Sequence, residues 1–237
     1  MKLLCAVSVV LLGTSLPSTA SAETELKRLK PASNRGFDPI EGVGPVASEA
    51  RIRKLLSRFD DRSQRLVALP KNARSAARAS STRVVRGRRD APNRVIDRNP
   101  KSAWVEAEAG SGSGTWLEVE ADPPPTSRLF GVLLGSGHGG SPMLFKAHPR
   151  PREALLTLRC GEDGAMILNY VLEVADTRRP QLFVFGPNDR AESPGRCRVR
   201  VTTLSVYDGI KSDALGISEL RLVASQPPSK RRRSSSR

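Results

Sequence analysis

Between Arg196 and Val201 the chain alternates without exception, three arginines interleaved with Cys197, Val199 and Val201. A period of two sends the arginines to one side and the apolar residues to the other, so this segment is a strand that needs a second layer over its dry face. The run extends to Val206, and its apolar phase slips between Thr202 and Leu204, where a bulge lets a strand bend. Six more strand-like runs accompany it: Trp116 to Glu120, Arg128 to Leu134, Glu153 to Cys160, Met166 to Val174, Gln181 to Phe185 and Ile217 to Val223. Gly, Pro and Asp punctuate nearly every gap. Several short strands with turn residues between them predict an all-β chain, an antiparallel β-sandwich preceded by one amphipathic helix.

Composition agrees with strands and turns. Only 38% of the 237 residues are hydrophobic and 4% aromatic, while Gly (19) and Pro (18) are plentiful. That length suits one domain with flanking segments. Eight of the ten aromatics lie in residues 81–225, which locates the core there. The formal charge of +15 favours anionic surroundings but names no activity.

Upstream, Lys2 precedes an apolar run from Leu3 to Leu12, and Ala20-Ser21-Ala22 forms a small-x-small cleavage site, so residues 1–22 read as a signal peptide. The expected location is secreted or periplasmic. The apolar run is too short to span a membrane, which takes about 20 residues. Residues 23–47 read as a linker. Ile52, Leu55, Leu56, Phe59 and Leu66 then recur at helical spacing, with Ser48 as a cap and Pro70 as a stop, which predicts an amphipathic helix over 48–69. Residues 70–80 are a basic connector and 226–237 a disordered basic tail carrying Lys230, Arg231, Arg232 and Arg233. Beyond the leader two cysteines remain, Cys160 and Cys197, each on the apolar side of its strand. An oxidising compartment favours a bridge between them, and two separately buried thiols fit the same pattern.

The stretch Ala79-Ser-Ser-Thr, then Ala91-Pro-Asn-Arg-Val-Ile-Asp97, Ser102 and Trp104, resembles the opening of discoidin-type, galactose-binding-like domains. The turn Gly110 to Gly114 before Trp116, with Phe145-x-x-His148-x-Arg150-Pro-Arg152, is similar to the branch of NADase-type glycan-binding domains. His148 stands where that branch usually has Asn, and Gly135-Ser-Gly-His-Gly-Gly140 replaces its Asn-Gly-Tyr. The resemblance covers residues 81–225 and implies a discoidin-like jelly roll that binds a glycan or cell-envelope polysaccharide through loops at one end.

It also implies site residues. Trp116, His138, His148, Arg150 and Arg152 are the ligand-binding candidates, with glycines allowing close approach and arginines donating paired hydrogen bonds. Trp104 is expected in the core. In calcium-binding members the Asp loop supplies a carbonyl, the Asp, an oxygen two residues on and a Ser or Thr five residues on, with a late Glu. Those places match Arg94, Asp97, Asn99, Ser102 and Glu219, with Ser218 offering a carbonyl, so structural Ca2+ is one expectation. The same residues serve equally as turn formers through side-chain to backbone hydrogen bonds.

Catalytic constellations are poorly supplied. His138 and His148 are the only histidines, no Gly-x-Ser-x-Gly elbow or phosphate loop occurs, and no spacing singles out two carboxylates. The expectation is a non-enzyme. A second reading makes the sandwich a scaffold whose basic tail binds an anionic polymer such as lipopolysaccharide or nucleic acid.

Overall fold

The computed structural model describes residues 26–31, 65–68, 76–85, 87–99, 101–123, 127–190, 192 and 195–226. All seven strands read from the sequence are present: β7 (Trp116–Ala121), β8 (Arg128–Ser136), β9 (Arg150–Cys160), β10 (Met166–Glu173), β11 (Gln181–Val184), β12 (Cys197–Tyr207) and β13 (Gly216–Gln226). Shorter strands precede them: β1 (Lys27–Leu29), β2 (Arg65–Ala68), β3 (Ala77–Ala79), β4 (Val84–Val85), β5 (Arg88–Arg89) and β6 (Trp104–Val105). One short helix, α1 (Pro142–Ala147), lies between β8 and β9, and the Ser141 hydroxyl caps it by accepting the Leu144 N–H at 3.1 Å. No helix among the described residues is long and apolar enough to cross a membrane.

Two sheets face each other, one in the order β1-β10-β9-β12-β7-β3 and the other in the order β11-β8-β13-β2, with β6 also pairing with β13. The alternation of β12 becomes burial: Cys197, Val199 and Val201 are buried in the core against Leu117, Val119, Leu156 and Leu158, while Arg198 stays exposed. Its register against β9 shifts around Thr203 and Ser205, where the apolar phase slips in the sequence. By contrast β8 is buried along almost all its length, because Leu-Phe-Gly-Val-Leu-Leu is apolar in both phases. Trp104 is fully buried as expected, and its indole N–H donates to the Ser81 carbonyl at 2.9 Å.

Three boundaries differ from the sequence reading. The helix expected over 48–69 cannot reach its end, since Arg65–Ala68 is a strand that pairs antiparallel with Val223–Gln226; residues 48–64 lie outside the described residues. Ladder hydrogen bonds along the open side of β13 outweigh the helical spacing that Leu66 completes. The connector 70–80 contains β3, which pairs with β7, so the sandwich begins before residue 81. The linker 23–47 contains β1, laid parallel on the edge of β10 and held by ion pairs from Lys27 to Asp189 at 2.9 Å and from Arg28 to Glu153 at 2.9 Å. A three-residue strand gives too few positions for any period to show.

Cys160 and Cys197 stand opposite each other across β9 and β12 and are disulfide-bonded, 37 residues apart in sequence. Closing a loop of that length removes unfolded-state entropy worth about 3 to 4 kcal/mol. The double variant Cys160→Ala/Cys197→Ala should lose that much unfolding free energy in urea titration, and reductant should lower the Tm of the natural chain but leave the variant's unchanged. Equal stability of the two proteins would contradict the bridge.

Candidate functional site

The ladders place the starts of β7, β9, β11 and β13 and the ends of β8, β10 and β12 at the same end of the sandwich. The loops 106–115, 137–149, 174–180 and 208–215 therefore converge there. These include the Gly-rich turn, the Gly135–Ser141 stretch and the segment from Phe145, which the sequence picks out as candidate ligand loops.

Arg150, at the first position of β9, holds that end together. Its Nε and Nη2 donate to the two carboxylate oxygens of Asp176 at 2.6 and 2.7 Å, a bidentate pair reaching into loop 174–180. Its Nη1 donates to the Asp208 carbonyl at 3.2 Å, at the start of loop 208–215. The guanidinium lies 4.6 Å from the centre of the Phe145 ring on α1 and 5.6 Å from that of Tyr207. Tyr207 in turn donates its hydroxyl to the Val174 carbonyl at 3.0 Å. Arg150 is buried, so its role corrects the expectation of a ligand-binding side chain: the donors it would offer a sugar are spent on the protein.

Next to it, Gly137 has φ +75°, and a Cβ there would stand 2.9 Å from the Phe145 ring, so only glycine lets this loop close over α1. His138 follows, half-buried and stacked on His148 with ring centres 5.7 Å apart. His138 Nδ1 accepts the Gly140 N–H at 3.2 Å, which leaves its proton on Nε2. His148 is buried, another departure from the expected ligand role, and its Nδ1–H donates to the Ala214 carbonyl at 3.0 Å. Loop 208–215 is also tied to α1 through Ile210 N–H to the Lys146 carbonyl at 3.0 Å. Buried Glu106 accepts the Leu215 N–H at 3.1 Å, joining loop 106–115 to the same cluster, and burial pushes its carboxyl pKa up.

The model of the NAD glycohydrolase translocation F5/8 type C domain matches residues 70–223, a span that holds every strand from β3 to β12 and most of β13. The chain belongs to this family. No curated protein matches it. Among solved structures it is similar to the F5/8 type C domain of a Bacteroides fragilis protein, with 19% identity over 69% of this chain and 97% of that one and a TM-score of 0.46. It is also similar to a CBM32 module from Clostridium perfringens in complex with GalNAc-β-1,3-galactose, at 14% identity, 66% and 99% coverage and a TM-score of 0.43. A pectin-binding carbohydrate-binding module stands at 16% identity, 66% and 91% coverage and a TM-score of 0.41.

This F5/8 type C chain gathers four of its five calcium candidates, but around a hydroxyl. Ser102 Oγ lies 2.7 Å from Asp97 Oδ2, 2.9 Å from the Asn99 carbonyl and 3.4 Å from the Arg94 carbonyl. Asp97 Oδ1 accepts the Asn99 N–H at 2.7 Å, and Asn99 Oδ1 accepts the Lys101 N–H at 3.1 Å. Between them Arg98 takes φ +62°. The fifth candidate, Glu219, is buried and ion-paired with the buried Arg221. With both Asp97 oxygens holding the turn and Glu219 committed to a guanidinium, the arrangement fits a self-satisfied turn and does not fit a calcium cage.

Trp116 is half-buried on the outer face of the six-stranded sheet, with the Arg200 guanidinium 4.2 Å from the ring centre, so the indole face expected to carry a sugar carries a cation instead. Of the five ligand candidates, His138 and the exposed Arg152 remain reachable. Asp176, Asp208 and Ala214, which shape the end, escaped the sequence reading. They belong to separate loops, and nothing in their local pattern announces that one guanidinium or one imidazole will collect them.

Burial is the first cause that lowers the pKa of both imidazoles; for His138 the charge of His148 comes next, and nearby Arg83 and Arg94 outweigh part of the opposing pull of Asp90. The unfolded chain therefore binds protons that the folded chain refuses, and stability falls as pH drops below the ordinary histidine value of about 6.5. Tm should decline from pH 7 toward pH 5, and the decline should flatten in His138→Gln/His148→Gln. A natural chain whose Tm is constant over that range would contradict this placement of the pair.

Proposed function

We propose that this protein is an exported, non-catalytic carbohydrate-binding protein that recognises a glycan through the loop end built on Arg150. The observation that carries the reading is the convergence of loops 137–149, 174–180 and 208–215 on one buried guanidinium, which ties three loops into one rim. Exposed Met143 and Ile210 sit on the two segments joined at the Lys146 carbonyl and supply apolar contact for the C–H side of a pyranose, while His138 and Arg152 supply donors. Membership of an F5/8 type C family supports a binding module. Two nearby carboxylates have other duties: Asp176 pairs with Arg150, and Asp90 with Arg83 and Arg94, which favours binding over a carboxylate-pair hydrolysis through them. Export rests on the leader at residues 1–22.

A glycan array probed with the full chain should show a restricted set of ligands. For a hit from that array, His138→Gln and Arg152→Ala should each weaken affinity by about tenfold, the loss of one good hydrogen bond, with Tm unchanged in Arg152→Ala. Unchanged affinity in both variants would overturn the location, and binding to nothing but polyanions, collapsing with salt, would favour an anionic-polymer scaffold instead.

A further inference from the structure

The sheet β11-β8-β13-β2 is buried on both of its faces, although the six-stranded sheet covers only one of them. In the ladders Phe183, Val132 and Leu222 stand side by side and point into the core between the sheets, as do Leu134 and Leu220. The residues between them point the other way: Leu182, Leu133 and Arg221 form one cross-strand row, with Glu219 and Val223 beside it on β13. An outer face of a two-layer sandwich meets water. Here Leu133 and Val223 are 0% exposed, Leu182 3%, Arg221 4% and Glu219 5%. Charged side chains on an open sheet face reach solvent, whereas Arg221 and Glu219 pair with each other away from it.

Among the described residues no element outside the two sheets is large enough to be this cover. The longest, α1, has six residues and lies at the loop end; β4 and β5 have two residues each. Beyond the described residues the sequence leaves few choices. Residues 1–22 read as a leader, 32–47 interrupt their apolar residues with three glycines and two prolines, and 227–237 hold no hydrophobic residue. Residues 48–64 bring Ile52, Leu55, Leu56 and Phe59 at helical spacing, and they end beside Arg65, where β2 joins the edge of this same sheet.

We infer that residues 48–64 are the cover: an amphipathic helix laid across the outer face of β11-β8-β13-β2, its four apolar side chains against Leu182, Leu133 and Val223. Seventeen residues make a helix of about 25 Å. Four strands about 4.8 Å apart span only about 15 Å, so the length suffices. With the apolar side against the sheet, Lys54 and Asp61 turn to solvent. The occupant is the chain itself, and the molecule gains a third layer that closes this face to other partners. Ligands are left with the loop end and the outer face of the six-stranded sheet.

Cross-linking tests this directly on the full chain. Leu55→benzoylphenylalanine, illuminated and analysed by mass spectrometry, should give intrachain links into residues 131–133, 181–184 or 219–223, with a yield independent of protein concentration. Phe59→Ala should lower Tm by roughly 10 °C, and Lys54→Ala, on the opposite side of the helix, should leave it unchanged. Should Phe59→Ala fail to fold, the cross-links still decide. Links confined to a second chain, links to lipid when phosphatidylglycerol vesicles are present, links that avoid this sheet, or a Tm untouched by Phe59→Ala would each overturn the inference.

Discussion

One guanidinium decides the shape of the loop end of this molecule. Arg150 opens β9, and five planar donors let it satisfy a carboxylate in one loop and a carbonyl in another while its face lies on Phe145 and near Tyr207. Lysine has the charge but lacks the fork, so it cannot hold Asp176 through two oxygens and Asp208 through a third bond at once. The rest of the end follows from this tie. With loops 174–180 and 208–215 fixed, Ile210 reaches the Lys146 carbonyl, Ala214 receives the His148 proton, and Leu215 donates to Glu106. Backbone groups that would otherwise need water are satisfied inside the cluster.

The charge layout of the sandwich separates tasks in a similar way. On the outer face of the six-stranded sheet, arginines and acids alternate across strands and neutralise each other, as in Arg200 with Glu118 and Arg198 with Glu120. Such exposed pairs add little stability, but they keep a broad sheet face polar and occupied.

Much of the fold is legible in the sequence because its main strands are long. Seven of them span enough residues for a period of two, or an unbroken apolar run, to appear, and even the slip at Thr202–Leu204 corresponds to a real register shift. The edge strands β1, β2 and β3 have three or four residues each and are set by ladder partners far away in sequence, so no local pattern betrays them. The site is legible only as a place. Gly135–Ser141 and Phe145–Arg152 mark loops that the fold brings to one end, yet arginine and histidine look alike in sequence whether they serve a ligand or the protein. Burial separates Arg150 and His148 from Arg152 and His138, and burial is decided by loops that return from residues 174–180 and 208–215. The Asp97 turn carries the same lesson: its spacing suits a cation, and the hydroxyl of Ser102 fills the place where its oxygens converge.

Amide hydrogen exchange on the natural chain and on Arg150→Met, each with and without a glycan ligand, addresses the central claim most directly. Methionine keeps the packing on Phe145 and Tyr207 and removes the hydrogen bonds. The account predicts lost protection in 174–180 and 208–215, unchanged protection in β9 and β12, and no further protection by the glycan. Intact protection in both loops, or glycan binding at full strength by the variant, would contradict it.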